Sequence, residues 1–210
     1  MSFIKDLIVA VAAIVTSTVA VVTATVAWKG LSRWKHEQAG KVHFEVARQL
    51  ARATYRLRDA MNDARNSFTS AAEFPPDYDA MNDMGEEKAK AWAHVFTNRF
   101  APLREAVSEL QTMGLEAEVL WGDEVKQKVT ALVQCVGLLR FAMQENVFYI
   151  AMSEEKRARY EKIYGKYEEM VHGSTDVEED KGEFTERVRK ALGDMQALLK
   201  AHLVKFRLEG

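Results

Sequence analysis

The feature that most constrains this chain is a run of 22 residues without charge, from Leu7 to Trp28. At a rise of 1.5 Å per residue the run would form a helix of about 33 Å, close to the roughly 30 Å hydrocarbon core of a bilayer. A soluble core helix of that length normally carries a polar face, and this run has none. We therefore expect a single transmembrane helix over 7–28, after a short N-terminal tail over 1–6.

The end of the run is typical of a membrane interface. Tryptophans and basic residues are enriched where a helix leaves the bilayer, and here they are Trp28, Lys29, Arg33, Trp34 and Lys35. A cleaved signal peptide is the competing interpretation. Its apolar region would be about 7–15 residues long and would follow a basic start. This run is longer and its basic residues come after it, so we expect the anchor to be retained.

Charge asymmetry predicts the orientation of the anchor. Residues 29–58 contain eight basic residues against Glu37 and Glu45, whereas the other flank has only Lys5, Asp6 and the amino terminus. Because basic flanks stay on the cytoplasmic side, we expect the large C-terminal domain in the cytoplasm. The single cysteine, Cys135, excludes an intrachain disulfide and fits a reducing compartment.

Small residues recur on one face of the predicted anchor, at Ala12, Thr16, Ala20 and Ala24. Such a face lets two helices approach closely in lipid, where packing drives association. The alternative is that a span rich in alanine, valine and threonine has small residues on every side. The sequence pattern favours neither explanation, so self-association through this face is a hypothesis.

The rest of the chain predicts a basic juxtamembrane segment over 29–40 and an α-helical bundle domain over 41–210. Glycine and proline are few, at 11 and 3 residues, and charges of both signs are mixed. This composition favours helices over a turn-rich β fold or a disordered tail. The expected fold class is all-α, with the transmembrane helix followed by an antiparallel bundle of about four helices.

Apolar spacing locates the four helices. The first runs from about Lys35 to Phe68 with a heptad-like seam, and the second stops at Gly114 after a kink or split at Pro102. The third starts close to Asp123, a candidate N-cap, and the last covers 184–206. Acidic loops are expected at 69–85 and 172–182. The seam of the first helix is predicted to contain Ala47, Leu50, Thr54, Leu57, Met61, Ala64 and Phe68.

Several stretches carry a family resemblance: Lys41–Arg48 after Trp34, then Tyr55–Asp59, Trp92–Val95 and Leu115–Gly122. Together they resemble a group of uncharacterised bacterial single-pass membrane-anchored helical proteins of unknown function. In that group a similar anchor precedes a similar helical region, so the resemblance covers most of the chain. It implies a bacterial inner membrane, and it implies no activity, substrate or cofactor.

The candidate chemical motifs are weaker than their structural explanations. Glu169 and His172 form one E-x-x-H, but a di-iron bundle needs two such motifs. His36 and His43 could share a helix face and hold a metal or haem, although interfacial histidines explain the spacing as well. Cys135 is expected to be a structural thiol.

Phosphate-binding loops, zinc-protease motifs and nucleophile elbows are absent from the sequence. We therefore predict no catalytic, cofactor-binding or metal-binding residues, and lean against an enzyme.

One basic stripe remains, formed by Arg48, Arg52 and Arg56. It could meet an acidic helix, acidic loops or membrane headgroups. Nucleic acid is disfavoured because the stripe lacks interleaved exposed aromatics in the sequence pattern and the formal net charge is −2.

Two function classes follow. The first is a membrane-tethered interaction or scaffold protein, oligomeric, with the bilayer and a protein partner or a second copy as its contacts. The second is a membrane-acting effector or transport-related subunit that uses clustered transmembrane helices. A lone span without ionisable residues is poor material for an ion path, which favours the scaffold.

Overall fold

The computed structural model describes residues 2–79, 85–176 and 180–208. Side chains lie outside the description for residues 2–21, Ala24, Ser32, Arg33, His36, Ala39 and 204–208. The described chain is helical, with no strand among its described residues, which confirms the all-α class. The elements are α1 (Ser2–Ala64), a short 3-10 helix (Ala71–Glu73), α2 (Glu86–Trp121), α3 (Asp123–Ala151), α4 (Glu154–Val171) and α5 (Glu183–Leu208).

The C-terminal part of α1 packs with α2, α3 and α5 as a helical bundle. Neighbours run antiparallel, because Arg56 meets Glu109 and His43 meets Trp121 between α1 and α2. The sequence places apolar residues three and four apart on each helix, and burying those faces together supplies the main stabilisation. The innermost side chains include Leu50, Leu57, Leu103, Leu110, Leu132, Leu139 and Met195.

The bundle has two distinct ends. At the proximal end, where α1 enters, lie His43, the α2–α3 junction at Gly122, and His202. At the distal end lie Arg65, where α1 ends, and the loop between α4 and α5. α4 is an additional helix beyond the four predicted, and it packs on the distal part of α3.

The predicted end of the second helix is wrong. Gly114 does not end α2, which continues to Trp121; it is buried where α2 crosses Val129 of α3. Pro102 lies inside α2 without splitting it. The helix ends instead at Gly122, whose φ of +80° is a conformation that favours glycine. Asp123 begins α3 as a first-turn residue, after Gly122 at the N-cap position.

The first helix differs from expectation at both ends. It is continuous from Ser2 to Ala64, across the predicted boundaries at 28/29 and 40/41. Its predicted seam is buried from Ala47 to Ala64, but Phe68 follows the helix end and is exposed. The last turn is therefore completed by Arg65 rather than by Phe68.

Among the described residues, no helical segment is both long enough and apolar enough to cross a bilayer. Most side chains of the predicted transmembrane helix, those of 7–21 and Ala24, lie outside the described residues. The span over 7–28 therefore stays a prediction.

Candidate interaction surfaces

The N-terminal half of α1 extends beyond the bundle. Every described side chain from 22 to 38 is exposed, and the first buried one is Ala47. Trp28 is 78% exposed and Trp34 56% exposed, and Val22, Val26 and Leu31 are exposed between and beside them. Large exposed apolar side chains that lie close together are typical of interaction surfaces.

The structure describes only some of the other side chains predicted to lie at the membrane. Lys29 and Lys35 are exposed beside the two tryptophans. The side chain of Arg33 lies outside the described residues, as do those of the predicted association face at Ala12, Thr16, Ala20 and Ala24. Their roles stay predictions.

The three arginines of the basic stripe have different surroundings. Arg48 donates to Glu45 on its own helix at 2.7 Å. Arg56 donates to Glu109 of α2 at 2.5 Å, so it joins two helices. Arg52 is exposed and has no ion pair among the described residues. Two of the three guanidinium groups are therefore balanced by carboxylates of the same chain.

The expectation that the stripe lacks exposed aromatics is wrong. Phe44 and Tyr55 are both exposed on α1, and the Arg58 guanidinium lies 5.1 Å from the Tyr55 ring. Nucleic acid is still not favoured, because Glu45, Glu109 and Asp59 place negative charge next to the arginines.

A stack of three rings closes the proximal end of the bundle. Trp121 Nε1 donates a hydrogen bond to Nδ1 of His43 at 2.9 Å. The Trp121 ring lies parallel to that of His202, with centroids 4.3 Å apart. α1, α2 and α5 are thereby joined where α1 enters the bundle. His43 therefore has a structural contact with Trp121. The side chain of His36, its predicted partner, lies outside the described residues.

A buried arginine closes the distal end. Arg65 is fully buried; its Nε donates to the carbonyl oxygen of Met170 at 2.8 Å, and its Nη2 donates to the hydroxyl of Thr185 at 2.9 Å. The guanidinium also lies 4.9 Å from the Phe184 ring. Burial lowers the pKa of Arg65 from its usual value, although Asp180 and Glu169 nearby oppose this shift.

The loop between α4 and α5 is built around Asp180. Burial by itself would raise the pKa of this carboxyl. The carboxylate also accepts hydrogen bonds from the backbone N–H groups of Ser174 and Gly182 and from the Thr185 hydroxyl. These bonds outweigh burial, so the pKa of Asp180 is lowered. The loop leaves α4 through Gly173, whose N–H donates to the Arg65 carbonyl oxygen. These contacts fix the place where α5 returns along α1.

The remaining candidate residues, Glu169, His172 and Cys135, lie in structural positions. Glu169 accepts the N–H of Phe184 at 3.3 Å, and His172 is the C-cap of α4. Within the described part of the chain, no group of three or more His, Cys, Asp or Glu side chains could hold a metal ion. Cys135 is buried in α3, and burial raises the pKa of its thiol, which disfavours the nucleophilic thiolate.

Sequence reasoning missed Arg65 and Trp121. Arg65 directly follows Ala64 and lies four residues after Met61, so an arginine in register with an apolar seam was the available signal. Trp121 gave no such signal, because it acts through residues 78 and 81 positions away, His43 and His202.

Compared with models of known protein families, with curated proteins and with solved structures, the chain shows no match.

Proposed function

We propose that this protein is a membrane-tethered helical scaffold. In this proposal residues 7–28 cross the membrane, 29–40 follow at the cytoplasmic surface, and the bundle holds protein partners there. A bacterial inner membrane is the proposed location, with the C-terminal domain in the cytoplasm.

The observation that carries the proposal is the uncovered half of α1. Its described side chains up to residue 38 are exposed, including Trp28, which ends the charge-free run, and Leu31 and Trp34, which come directly after it. No described part of the chain packs on them. A bilayer and its interface would cover the run and accommodate the tryptophans.

The continuity of α1 supports a scaffold that holds its bundle at a set distance from the bilayer. From Trp28 to His43 the helix rises about 22 Å at 1.5 Å per residue. Arg48 lies about 30 Å beyond Trp28 by the same rise, roughly four Debye lengths at physiological salt. For an upright helix that distance favours an acidic protein partner over lipid headgroups as the contact of the basic stripe.

The bundle itself supports binding rather than chemistry. Its buried polar residues are engaged in fastening helices, as with Arg65, or are held away from reactivity, as with Cys135. The exposed apolar residues lie instead on helix faces, at Leu115, Val119, Phe141 and Phe148. Surfaces of this kind mark protein interaction sites.

The test is membrane extraction of the full chain. We expect it to remain with membranes after alkaline washing and to float with lipid vesicles. Val15→Lys places a charge at the centre of the run, which costs about 2.5–3.5 kcal/mol on the insertion scale, and should release the chain. Val15→Leu is the matched control and should remain bound. Release of the unchanged chain would refute the tether.

A second experiment separates the scaffold from the effector alternative. The run 7–28 is replaced by an unrelated transmembrane helix of equal length, and proximity labelling is compared before and after. A scaffold keeps the same cytoplasmic partner. Membrane depolarisation that depends on Ala20 and Ala24, lost in the Ala20→Leu and Ala24→Leu variants, would instead establish the effector.

A further inference from the structure

The outer face of α3 carries a regular uncharged stripe. Its residues are Thr130, Gln134, Gly137, Phe141, Gln144 and Phe148, and all six are exposed. Their spacings of four, three, four, three and four residues are those of the a and d positions of a coiled coil. The fold's own core uses a different face of α3. Of the six residues, Phe141 also meets the ring of Tyr167 of α4 edge to face, with centroids 5.6 Å apart, and it stays 48% exposed.

Charge is excluded from this α3 stripe. Between 130 and 148 only one further residue of α3 is exposed, Arg140, and its guanidinium lies off the stripe, 5.9 Å from the Phe100 ring. The whole chain is 29% charged. Solvated helix faces in such a chain normally carry charges, so an uncharged stripe indicates a surface that becomes covered.

Gly137 is not explained by the fold. A Cβ built on it would have nothing within 4 Å, in contrast to Gly114, where a Cβ would lie 2.8 Å from Val129. Glycine inside a helix costs about 1 kcal/mol relative to alanine. A glycine at the middle of an exposed seam allows another helix backbone to approach closely, which would give this residue a purpose.

We propose that the α3 stripe is the contact between two copies of this chain, related by a two-fold axis parallel to α3. This inference rests on the proposed membrane tether, because anchors in one bilayer hold two copies parallel. A parallel two-fold axis places each stripe residue against its own counterpart. Any charge would then face a like charge, and the stripe contains none.

Each position of the stripe suits its counterpart. Phe141 and Phe148 stack against the same rings of the second copy, and the amides of Gln134 and Gln144 pair as donor and acceptor. The two backbones approach most closely at Gly137. Exposed Leu115 and Val119 of α2 line one groove with Thr130 at the proximal end of the stripe and extend the contact there.

The α3 stripe is small for a stable interface, so the contact depends on the membrane tether. From Thr130 to Phe148 the stripe is about 27 Å long, and at a helix diameter of about 10 Å it offers roughly 300 Å² per copy. Standard interfaces bury about 800 Å² per partner. Confinement of both copies to one membrane raises their effective concentration and supports the smaller contact.

Disulfide trapping in lipid vesicles tests the contact. The full chain carries Cys135→Ala and Gly137→Cys, and the matched control carries Cys135→Ala and Gly193→Cys. Gly193 is likewise an exposed helical glycine with nothing near its Cβ position. A disulfide needs Cα atoms within about 7 Å, so only the first variant should form dimers readily. Equal trapping of both variants, or none, would overturn the proposal.

Charge pairing identifies the occupant. Gln144→Glu and Gln144→Lys, each added to the Gly137→Cys chain, should each lower trapping about tenfold through like-charge opposition. Mixing the two chains should restore it as the mixed dimer, a result that only a contact between equal positions produces. Trapping of Gly137→Cys onto a different protein, with no self-dimer, would refute the second copy.

Flotation of the same vesicles keeps the two proposals separate. A chain that floats but fails to trap at 137 refutes the α3 contact and leaves the tether standing. A chain that traps at 137 in solution and does not float refutes the tether and leaves the contact standing.

Discussion

Arg65 Nε donates a hydrogen bond to the carbonyl oxygen of Met170 across 105 positions of sequence, at 2.8 Å. The bond joins the last turn of α1 to the last turn of α4, and the same guanidinium reaches Thr185 in the first turn of α5. One side chain therefore fastens three helix ends.

Replacing this arginine should destabilise the fold. Arg65→Met keeps an unbranched side chain but removes the guanidinium, which leaves the carbonyl oxygens of Met170 and Glu169 without their donor. Unsatisfied buried acceptors cost about 1–3 kcal/mol each, and relief of the buried charge offsets part of that loss. We expect the free energy of unfolding to fall by about 2–3 kcal/mol in urea denaturation.

The control for this prediction is Arg52→Met on the exposed side of the same helix. Surface substitutions of this kind change stability by no more than about 0.5 kcal/mol. Equal stability of the Arg65→Met chain and the unchanged chain would show that the buried charge costs as much as its hydrogen bonds contribute.

Gly173 should tolerate no side chain. Its φ is +152°, and a Cβ would lie 2.6 Å from Arg65 Nη2 and closer still to Asp180 Oδ2. Gly173→Ala therefore combines backbone strain with a steric clash. Gly85→Ala is the matched control, because Gly85 has a φ of +58° but nothing within 4 Å of a Cβ.

The expected difference is measurable by thermal unfolding. Gly85→Ala should cost about 1–2 kcal/mol, the strain of a left-handed conformation. Gly173→Ala should cost about 1–3 kcal/mol more, the usual range for overpacking. Equal losses in the two variants would show that the Arg65–Asp180 pair moves aside without penalty.

The sequence predicted the helices better than their ends. The apolar faces of α3 and α5 were identifiable because three- and four-residue spacing directly reports a buried helix side. The predicted helix end at Gly114 was wrong and the helix is not split at Pro102, because a glycine and a proline are also compatible with a helix when tertiary packing favours continuity. Local propensity alone could not distinguish a helix end from a crossing point.

The candidate surfaces were less predictable for a physical reason. The seam at Thr130, Gly137 and Phe148 becomes visible only when the buried face of α3 is known, since both faces carry helical periodicity. The pairing of Arg56 with Glu109 likewise depends on the register of α1 against α2. Such register comes from the packing of distant segments and leaves no local signal.

The crossing point itself gives the next prediction. A Cβ at Gly114 would lie 2.8 Å from Cγ2 and 3.4 Å from Cγ1 of Val129, and a valine in a helix has one strongly preferred χ1 rotamer. Gly114→Ala should therefore lower stability by about 1–2 kcal/mol, although alanine is the better helix former. Urea denaturation of the full chain measures the loss.

A double-mutant cycle decides whether Val129 is the cause. Val129→Ala removes both methyl groups and should make Gly114→Ala neutral or stabilising in its background. Gly193→Ala, in open space on α5, should stabilise the protein by about 0.5–1 kcal/mol. Additive losses in the cycle would place the clash elsewhere.

The last prediction concerns pH and His172. This side chain is half-buried, and its Nδ1 has no hydrogen-bond partner among the described residues. Burial lowers the pKa of the imidazole below its usual value of 6.5; Arg99 and Arg65 act in the same direction, and Glu168 opposes them. The folded protein therefore keeps His172 neutral at a pH where the unfolded chain protonates it.

The sign of the effect follows from proton binding. Between the lowered pKa and 6.5 the unfolded state binds more protons, so the free energy of unfolding falls as the pH drops below 6.5. One group contributes at most about 1.4 kcal/mol per pH unit. The pKa of Asp180 is also lowered, from 3.8, so that carboxyl is ionised in both states across this window and adds no slope there.

His172→Asn should remove the His172 part of the slope between pH 5 and 7, as measured by urea denaturation at each pH. An unchanged slope in His172→Asn would assign the pH dependence to other groups.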